Sequence, residues 1–262
     1  MSFLPAPLLV RPTAPLARVT GVTRLIAGSL WLVVAAAVSG LAAELVLLAA
    51  ALLGLLVWSG IPLAPLPGRM WPVALGALGL GLTAAFGSAL DRDPALAAIV
   101  SLGPLRLTEP GLEAGLALAA RILVIGLTSL LVFAPADLTR LADALVQQLR
   151  LPDRLAYGSV AAMGLAPLTA ADWQATGAAR RLRGLAPATP AGRLAAVPGR
   201  LLVVLVMALR RGERLALAMD ARGFDSGVPR SRFRPVRAGA LDLVVLAVAA
   251  GVAVVAVRAQ LG

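Results

Sequence analysis

The sequence predicts an all-α polytopic membrane protein, with about five transmembrane helices plus long amphipathic helices on the cytoplasmic side. Three observations carry that prediction. Apolar residues fill 60% of the 262 positions and mean hydropathy is +0.90. This is more apolar surface than a soluble domain can hide, so lipid is the natural solvent for the excess. The apolar residues come in continuous runs rather than the alternating segments of about ten that a barrel needs, and in lipid only helices and closed barrels satisfy the whole backbone. Finally, all 24 basic residues are arginine against 13 acidic ones, and sixteen of those arginines fall between Arg140 and Arg237, while the apolar runs hold almost none.

The N-terminal segment, 1–24, lacks the basic start, apolar middle and small-residue cleavage site of a signal peptide, and Pro5 and Pro7 break its apolar stretch. The first apolar region, Leu25 to Trp58, is too long for one span of about 20 residues. Ser39-Gly40 near its middle marks a tight turn and gives spans at about 25–39 and 41–58. A proline-rich connector, Ile61 to Pro72, carries Arg69 as its one charge. The third span, about 72–90, has many glycines, which suit close helix packing. Asp91 to Thr108 reads as a loop, at most with a short interfacial helix. Glu109-Pro110-Gly111 then opens a fourth span at about 112–133.

After Ala134-Pro135 the pattern changes to amphipathic stretches with arginines every few positions, as far as Arg237. A last apolar run, about Ala238 to Val257 with Asp242 near its start, is the fifth span. The expected organisation is a cytoplasmic segment 1–24, a transmembrane domain 25–135 of about four spans, a cytoplasmic helical domain 136–237, and a final transmembrane segment 238–262. Arginine distribution orients this plan. Arg11, Arg18 and Arg24 place the N-terminus inside, the loop with Asp91, Asp93 and Glu109 falls outside, and the sixteen-arginine region falls inside. Within that region, Leu155–Leu168 and Leu201–Leu209 are apolar enough to dip into the bilayer.

Cysteine and histidine are absent, which excludes disulfides, thiol catalysis, histidine proton relays and most zinc or haem sites. No cofactor is called for. No Walker-type glycine loop occurs, so the chain is not expected to hydrolyse ATP itself, nor to be an enzyme. The net charge of +11 suits nucleic acid, anionic lipid or an acidic partner. Its concentration in a juxtamembrane region points to lipid and an acidic partner, not to nucleic acid. Glu44 inside a span is a candidate coupling-ion carboxylate, with no obvious partner acid or histidine. Asp91 and Asp93 are paired, but without a nucleophile or metal ligands nearby they read as solvated loop residues.

The most informative stretch is Leu209 to Gly227. Leu215, Ala218 and Met219 form a helical stripe that Arg222 continues one turn on, and Gly223 follows where a helix takes a left-handed C-cap. An arginine in the last turn complements the helix dipole and projects at the tip. Upstream, Ala178-Ala179-Arg180-Arg181-Leu182-Arg183-Gly184 ends a helix in the same way. Arginine presents a rigid fork to carboxylates and carbonyls, so paired tips suit docking into acidic pockets of a partner. A solvated basic face and anchoring to anionic lipid are the alternatives.

Here the sequence resembles the transmembrane T component of energy-coupling factor (ECF) importers, the EcfT/CbiQ/BioN-like group, which carries two Ala-Arg-Gly-type signatures at the ends of cytoplasmic coupling helices. Arg210 to Gly223 is similar to the second signature, with Ala221, Arg222 and Gly223 at its end. Arg181-Leu182-Arg183-Gly184 is similar to the first, with Leu182 where the family has Ala or Ser, and the adjacent Arg180 and Arg181 leave its register open. Pro15-Leu16-Ala17-Arg18, Gly103 to Thr108 and Asp137 to Pro152 stand in the family's order. The aspartate of the N-terminal motif is missing, and Gly164-Leu165-Ala166-Pro167 departs from the Arg-Phe before proline that many relatives have.

The resemblance implies a non-catalytic scaffold in the bacterial cytoplasmic membrane, joining two ATP-binding cassette ATPases to a substrate-binding S component for uptake of a vitamin or a metal ion. It also implies that Arg183, Gly184, Ala221, Arg222, Gly223 and, in the other register, Arg181 couple to the ATPases. Two readings of other classes remain: a secondary transporter built on Glu44, and a membrane enzyme using the Asp91/Asp93 loop.

Overall fold

The computed structural model describes residues 14–87, 98–102, 105–134, 137–185, 189–224 and 234–261. In chain order these form α1 (Pro15–Arg18), α2 (Gly21–Ala37), α3 (Leu41–Leu53, continued by a π turn, Gly54–Trp58), α4 (Leu66–Gly87), β1 (Ala98–Leu102), β2 (Leu105–Thr108), α5 (Glu109–Phe133), α6 (Leu138–Leu149), α7 (Asp153–Leu182), α8 (Pro190–Ala195), α9 (Val197–Ala221) and α10 (Ala240–Leu261). The chain divides into two compact units, one holding the residues up to Ala144 together with those from Val236, the other Leu145–Pro235.

In the first unit, helix ends sit where side chains can satisfy orphan backbone groups. Thr20 Oγ1 accepts from the Thr23 N–H at the start of α2, and Thr108 Oγ1 accepts from the Gly111 N–H at the start of α5 (3.2 Å). Asp242 serves two helices at once. Its Oδ2 accepts from the Gly239 N–H at the head of α10, and its Oδ1 accepts from the Thr20 N–H at the head of α2, both at 2.8 Å. The sequence plan had Asp242 only as a charge near a span end. Its carboxylate ties two helix starts to one level.

α5 is the central helix, packed against α2, α3 and α4, while α10 closes on α2 and α3. The core is built of small and medium residues: Ala35, Val38, Ala43, Leu47, Val124 and Ala256 are all buried. Lipid offers no hydrophobic drive between helices, so close backbone approach must supply the packing. α4 and α5 show it plainly: a Cβ on Gly115 would stand 2.6 Å from the Gly81 carbonyl oxygen and from Ala85 Cβ. Outward faces carry large apolar residues such as Leu53, Leu56, Val57, Leu75 and Leu78, as a lipid-facing surface requires.

Five helical stretches are long and apolar enough to cross a membrane: Leu41–Trp58, Leu66–Gly87, Glu109–Phe133, Pro190–Ala221 and Ala240–Gln260. The expected first span, 25–39, falls in α2, an apolar helix of 17 residues, about 25 Å long and at the short limit for crossing. The break at Ser39-Gly40 lies where expected, in an extended link between α2 and α3.

Two expectations fail. α4 starts at Leu66 rather than about 72 and carries Pro72 inside. A proline costs one backbone bond in a helix, and the close packing of α4 on α5 compensates. The helix allowed for in the 91–108 loop does not form in the described residues 98–102 and 105–108. There β1 pairs antiparallel with β2, Ala98 opposite Thr108 and Leu102 opposite Leu105, with a bulge between Ala98 and Val100. The period-two run Leu105-Arg106-Leu107-Thr108 was the available signal.

In the second unit α7 and α9 pack together, and their contacts run antiparallel. Tyr157 meets Phe224 edge-to-face at 6.4 Å. Asp172 takes a fork from Arg211, Nη2 to Oδ1 at 2.8 Å with Nη1 on Oδ2. Arg200 lies 3.9 Å over the Trp173 ring and donates to its carbonyl, Nε at 3.0 Å. Arg180 Nη1 donates to the Ala196 carbonyl at 3.3 Å. A Cβ on Gly177 would stand 2.5 Å from the Arg200 guanidinium, so the bare backbone there lets Arg200 cross to Trp173.

Candidate functional site

The two Arg-Gly ends have the same geometry. At the end of α7, Arg183 is the C-cap and Gly184 takes φ +71°. The Leu185 N–H donates to the Arg180 carbonyl at 2.9 Å, and the Gly184 N–H to that of Arg181 at 3.1 Å. At the end of α9, Arg222 is the C-cap and Gly223 takes φ +71°. The Phe224 N–H donates to the Met219 carbonyl at 3.0 Å, and the Gly223 N–H to that of Asp220 at 2.9 Å. Each is a Schellman motif: a six-to-one and a five-to-two bond satisfy the last carbonyls while the left-handed glycine turns the chain away.

Arg183 and Arg222 therefore occupy the same place, one residue before the left-handed glycine, and both are exposed. The geometric match runs through Arg183, not Arg181, which stands two residues earlier. Leu182, beside the first tip, is 90% exposed. Because α7 and α9 are antiparallel, the tips lie at opposite ends of the pair: Arg183 follows the end that meets Ala196, and Arg222 stands at the end where Phe224 meets Tyr157.

Beside the first tip, Arg180, Arg181, Arg193 and Arg200 surround a recess of about 500 Å³. Four guanidinium groups converging on one hollow make it strongly electropositive. The N-terminal half of α9 carries an exposed apolar face, and its C-terminal half is charged. Leu201, Leu202, Leu205 and Leu209 are exposed, and Val204 alone among its residues is buried. Of the stripe read from the sequence, Leu215 and Met219 are half-buried and Ala218 is exposed.

Glu44 is fully buried and has a partner that spacing along the chain concealed: Arg121 of α5, whose Nε donates to Glu44 Oε1 at 2.7 Å. Arg121 also donates through Nη2 to the carbonyl of Val38, where α2 ends and α3 has not begun. One guanidinium thus neutralises a carboxylate and serves a helix terminus, which is a structural task for Glu44 rather than that of a free coupling carboxylate. Asp91 and Asp93 lie outside the described residues. Among the described residues no cluster of three or more acidic side chains is placed to hold a metal ion.

Fold and caps together define a polytopic helical membrane protein distinguished by two arginine-capped helices of equal geometry. A model of the cobalt transport protein family, CbiQ, matches residues 14–233, and the chain belongs to that family. It is also similar to the energy-coupling factor transporter transmembrane protein EcfT of Leuconostoc gelidum subsp. gasicomitatum, with 28% identity over 171 residues, 62% of this chain and 64% of that one. The chain thus spans somewhat less than two thirds of that relative. Both matches agree with the likeness to T components read from the motifs.

Proposed function

We propose that the chain is the non-catalytic scaffold of an ECF-type importer in the bacterial cytoplasmic membrane. Two ATP-binding cassette subunits dock on its arginine-capped helices. Their opening and closing passes through α7 and α9 to a small substrate-binding membrane subunit that carries a vitamin or a metal ion inward.

The observation that carries this reading is the repetition of one cap at both ends of an antiparallel pair. Two equivalent tips facing apart suit two equivalent partners. A guanidinium at a helix end, exposed and followed by a turn that takes the chain out of the way, presents its fork to a carboxylate or carbonyl pocket. Two helices clasped at Asp172–Arg211 and at Arg200–Trp173 form levers about a crossing, so displacement at the ends alters the surface between them. The exposed apolar face of α9 suits the membrane-embedded substrate-binding subunit.

In this arrangement the N-terminus is cytoplasmic, as is the 136–237 region. Between Arg200 and Arg210 only 201–209 is uncharged, roughly 14 Å of helix, about half the hydrocarbon thickness. The 190–221 stretch has the length and composition to cross a membrane, but its central uncharged run alone is too short to span one. Co-expression with a candidate ATPase pair tests the scaffold role: the chain should co-purify with both ATPases as a stable complex. A chain that purifies alone, with ATPases that pair without it, would contradict the proposal.

A further inference from the structure

A cavity of about 380 Å³ opens between α2, α3, α5 and α10, lined among others by Arg24, Trp31, Leu53, Thr128, Val132 and Val248. Its wall is almost wholly apolar, and its one charged residue stands at one end. Arg24 is 7% exposed, and its Nε and Nη1 have no hydrogen-bond partner among the described residues. Thr128 Oγ1, on the opposite wall, also has none. The Trp31 indole, by contrast, is satisfied by the Ala249 carbonyl at 3.1 Å.

A buried charge without hydrogen bonds is costly, and more so in lipid. Asp242 stands near enough to Arg24 to offset part of its charge, but its two oxygens are engaged by the Thr20 and Gly239 N–H groups. Two donors of a buried guanidinium are thus left for an acceptor that the described chain does not supply.

Position narrows what that acceptor is. Arg24 lies in the first turn of α2, at the level where α2 and α10 both begin, which is one face of the membrane. From there the cavity follows α2 to Trp31, two turns or roughly 10 Å deeper. An anionic head at the level of the interface and an apolar tail running inward is the shape of a membrane lipid. The volume lies near the low end of small-ligand pockets, roughly 300–1,000 Å³, and matches one alkyl chain rather than a whole two-chain lipid.

We infer that this cavity is a site for an anionic phospholipid of the surrounding leaflet, its phosphate on Arg24 and one acyl chain between α2, α3, α5 and α10. The inference needs only that the first unit spans a bilayer, and stands independently of the ATPase-coupling proposal. The bound chain fills the space between four helices, and the phosphate completes the hydrogen bonding of Arg24. Asp242 repels any anion there, so the site favours a phosphate monoanion that reaches the guanidinium from the lipid side.

Native mass spectrometry and thermal melting of the full chain in detergent, with added phosphatidylglycerol, phosphatidylcholine or inorganic phosphate, test this. The wild type should retain one phosphatidylglycerol with a preference of roughly tenfold or more over phosphatidylcholine, whose phosphate is the same but whose choline cation would stand beside the Arg24 guanidinium and be repelled by it. Arg24→Gln should abolish the preference, whereas Arg18→Gln, an exposed arginine one helix earlier, should keep it. Ala27→Phe, which fills the cavity from a half-buried position, should lose lipid retention with Arg24 intact, and so covers the case in which Arg24→Gln fails to fold. Equal binding of both lipids by the wild type, a preference that survives Arg24→Gln, or full stabilisation by inorganic phosphate alone would each overturn the assignment.

Discussion

Glu44 and Arg121 sit 77 positions apart in sequence yet form one ion pair, with Glu44 fully buried and Arg121 partly so. Removing one partner leaves the other charge desolvated, at a cost of about 3–5 kcal/mol. Arg121→Ala should therefore lower the melting temperature of the purified protein sharply, and Glu44→Leu with Arg121→Met should recover much of the loss. Equal damage from the double variant would show that the pair does more than neutralise itself. This contact was not legible in the sequence, because nothing local to Glu44 announces a partner on another helix. The Arg-Gly ends were legible for the opposite reason: a helix stop is written in consecutive residues, and Gly184 and Gly223 adopt the left-handed conformation that such a stop requires. The equivalence of Arg183 with Arg222, where the sequence left Arg181 open, comes from the bonding of Leu185 and Phe224, which no spacing rule states.

Among the elements, the long apolar helices could be read from hydropathy, and their ends were read less well. Pro72 was taken as the end of the connector and the start of the span, yet α4 begins at Leu66 and absorbs it, since tertiary packing outweighs a single lost bond. β1 and β2 were missed because 91–108 was read as a loop between two spans, and strands of five and four residues leave little periodicity to read. Of the α4 glycines that the sequence suggested for close packing, Gly81 alone meets another helix, at Gly115 and Ala119 of α5, while Gly76, Gly79 and Gly87 have nothing within 4 Å of an added Cβ. A side chain at Gly115 would overlap the Gly81 carbonyl, and overpacking of this kind costs about 1–3 kcal/mol. Gly115→Leu should thus destabilise the protein, while Gly76→Leu, with no neighbour within 4 Å of its would-be Cβ, should melt like the wild type. Similar melting of both variants would mean that α4 and α5 are less closely apposed.

At the scale of the whole molecule, arginine placement sets the proposed orientation. The chain has no cysteine, so single introduced cysteines report cleanly. A cysteine at position 193 should label only from the cytoplasm, and one at position 93 only from outside; the reverse pattern would invert the topology. The membership of a transport family was legible because its signatures are contiguous, whereas substrate identity is not written in them. The claim at the centre of the account is that Arg183 and Arg222 are the two points of transmission. Reversing either charge should replace attraction by repulsion and cost at least about 2–5 kcal/mol of ATPase association. Arg200 is unsuitable as a control, since it holds α7 to α9 through Trp173; Arg193 and Arg214 are exposed and serve instead. If the arginines only bind anionic lipid, each contributes about 1 kcal/mol and none stands apart. The direct measurement is transport, together with ATPase co-purification, for Arg183→Glu, Arg222→Glu, Arg181→Glu, Arg193→Glu and Arg214→Glu. The account predicts loss at Arg183 and Arg222 with the protein still in the membrane and the other three near normal. An equal, modest loss in all five would contradict it.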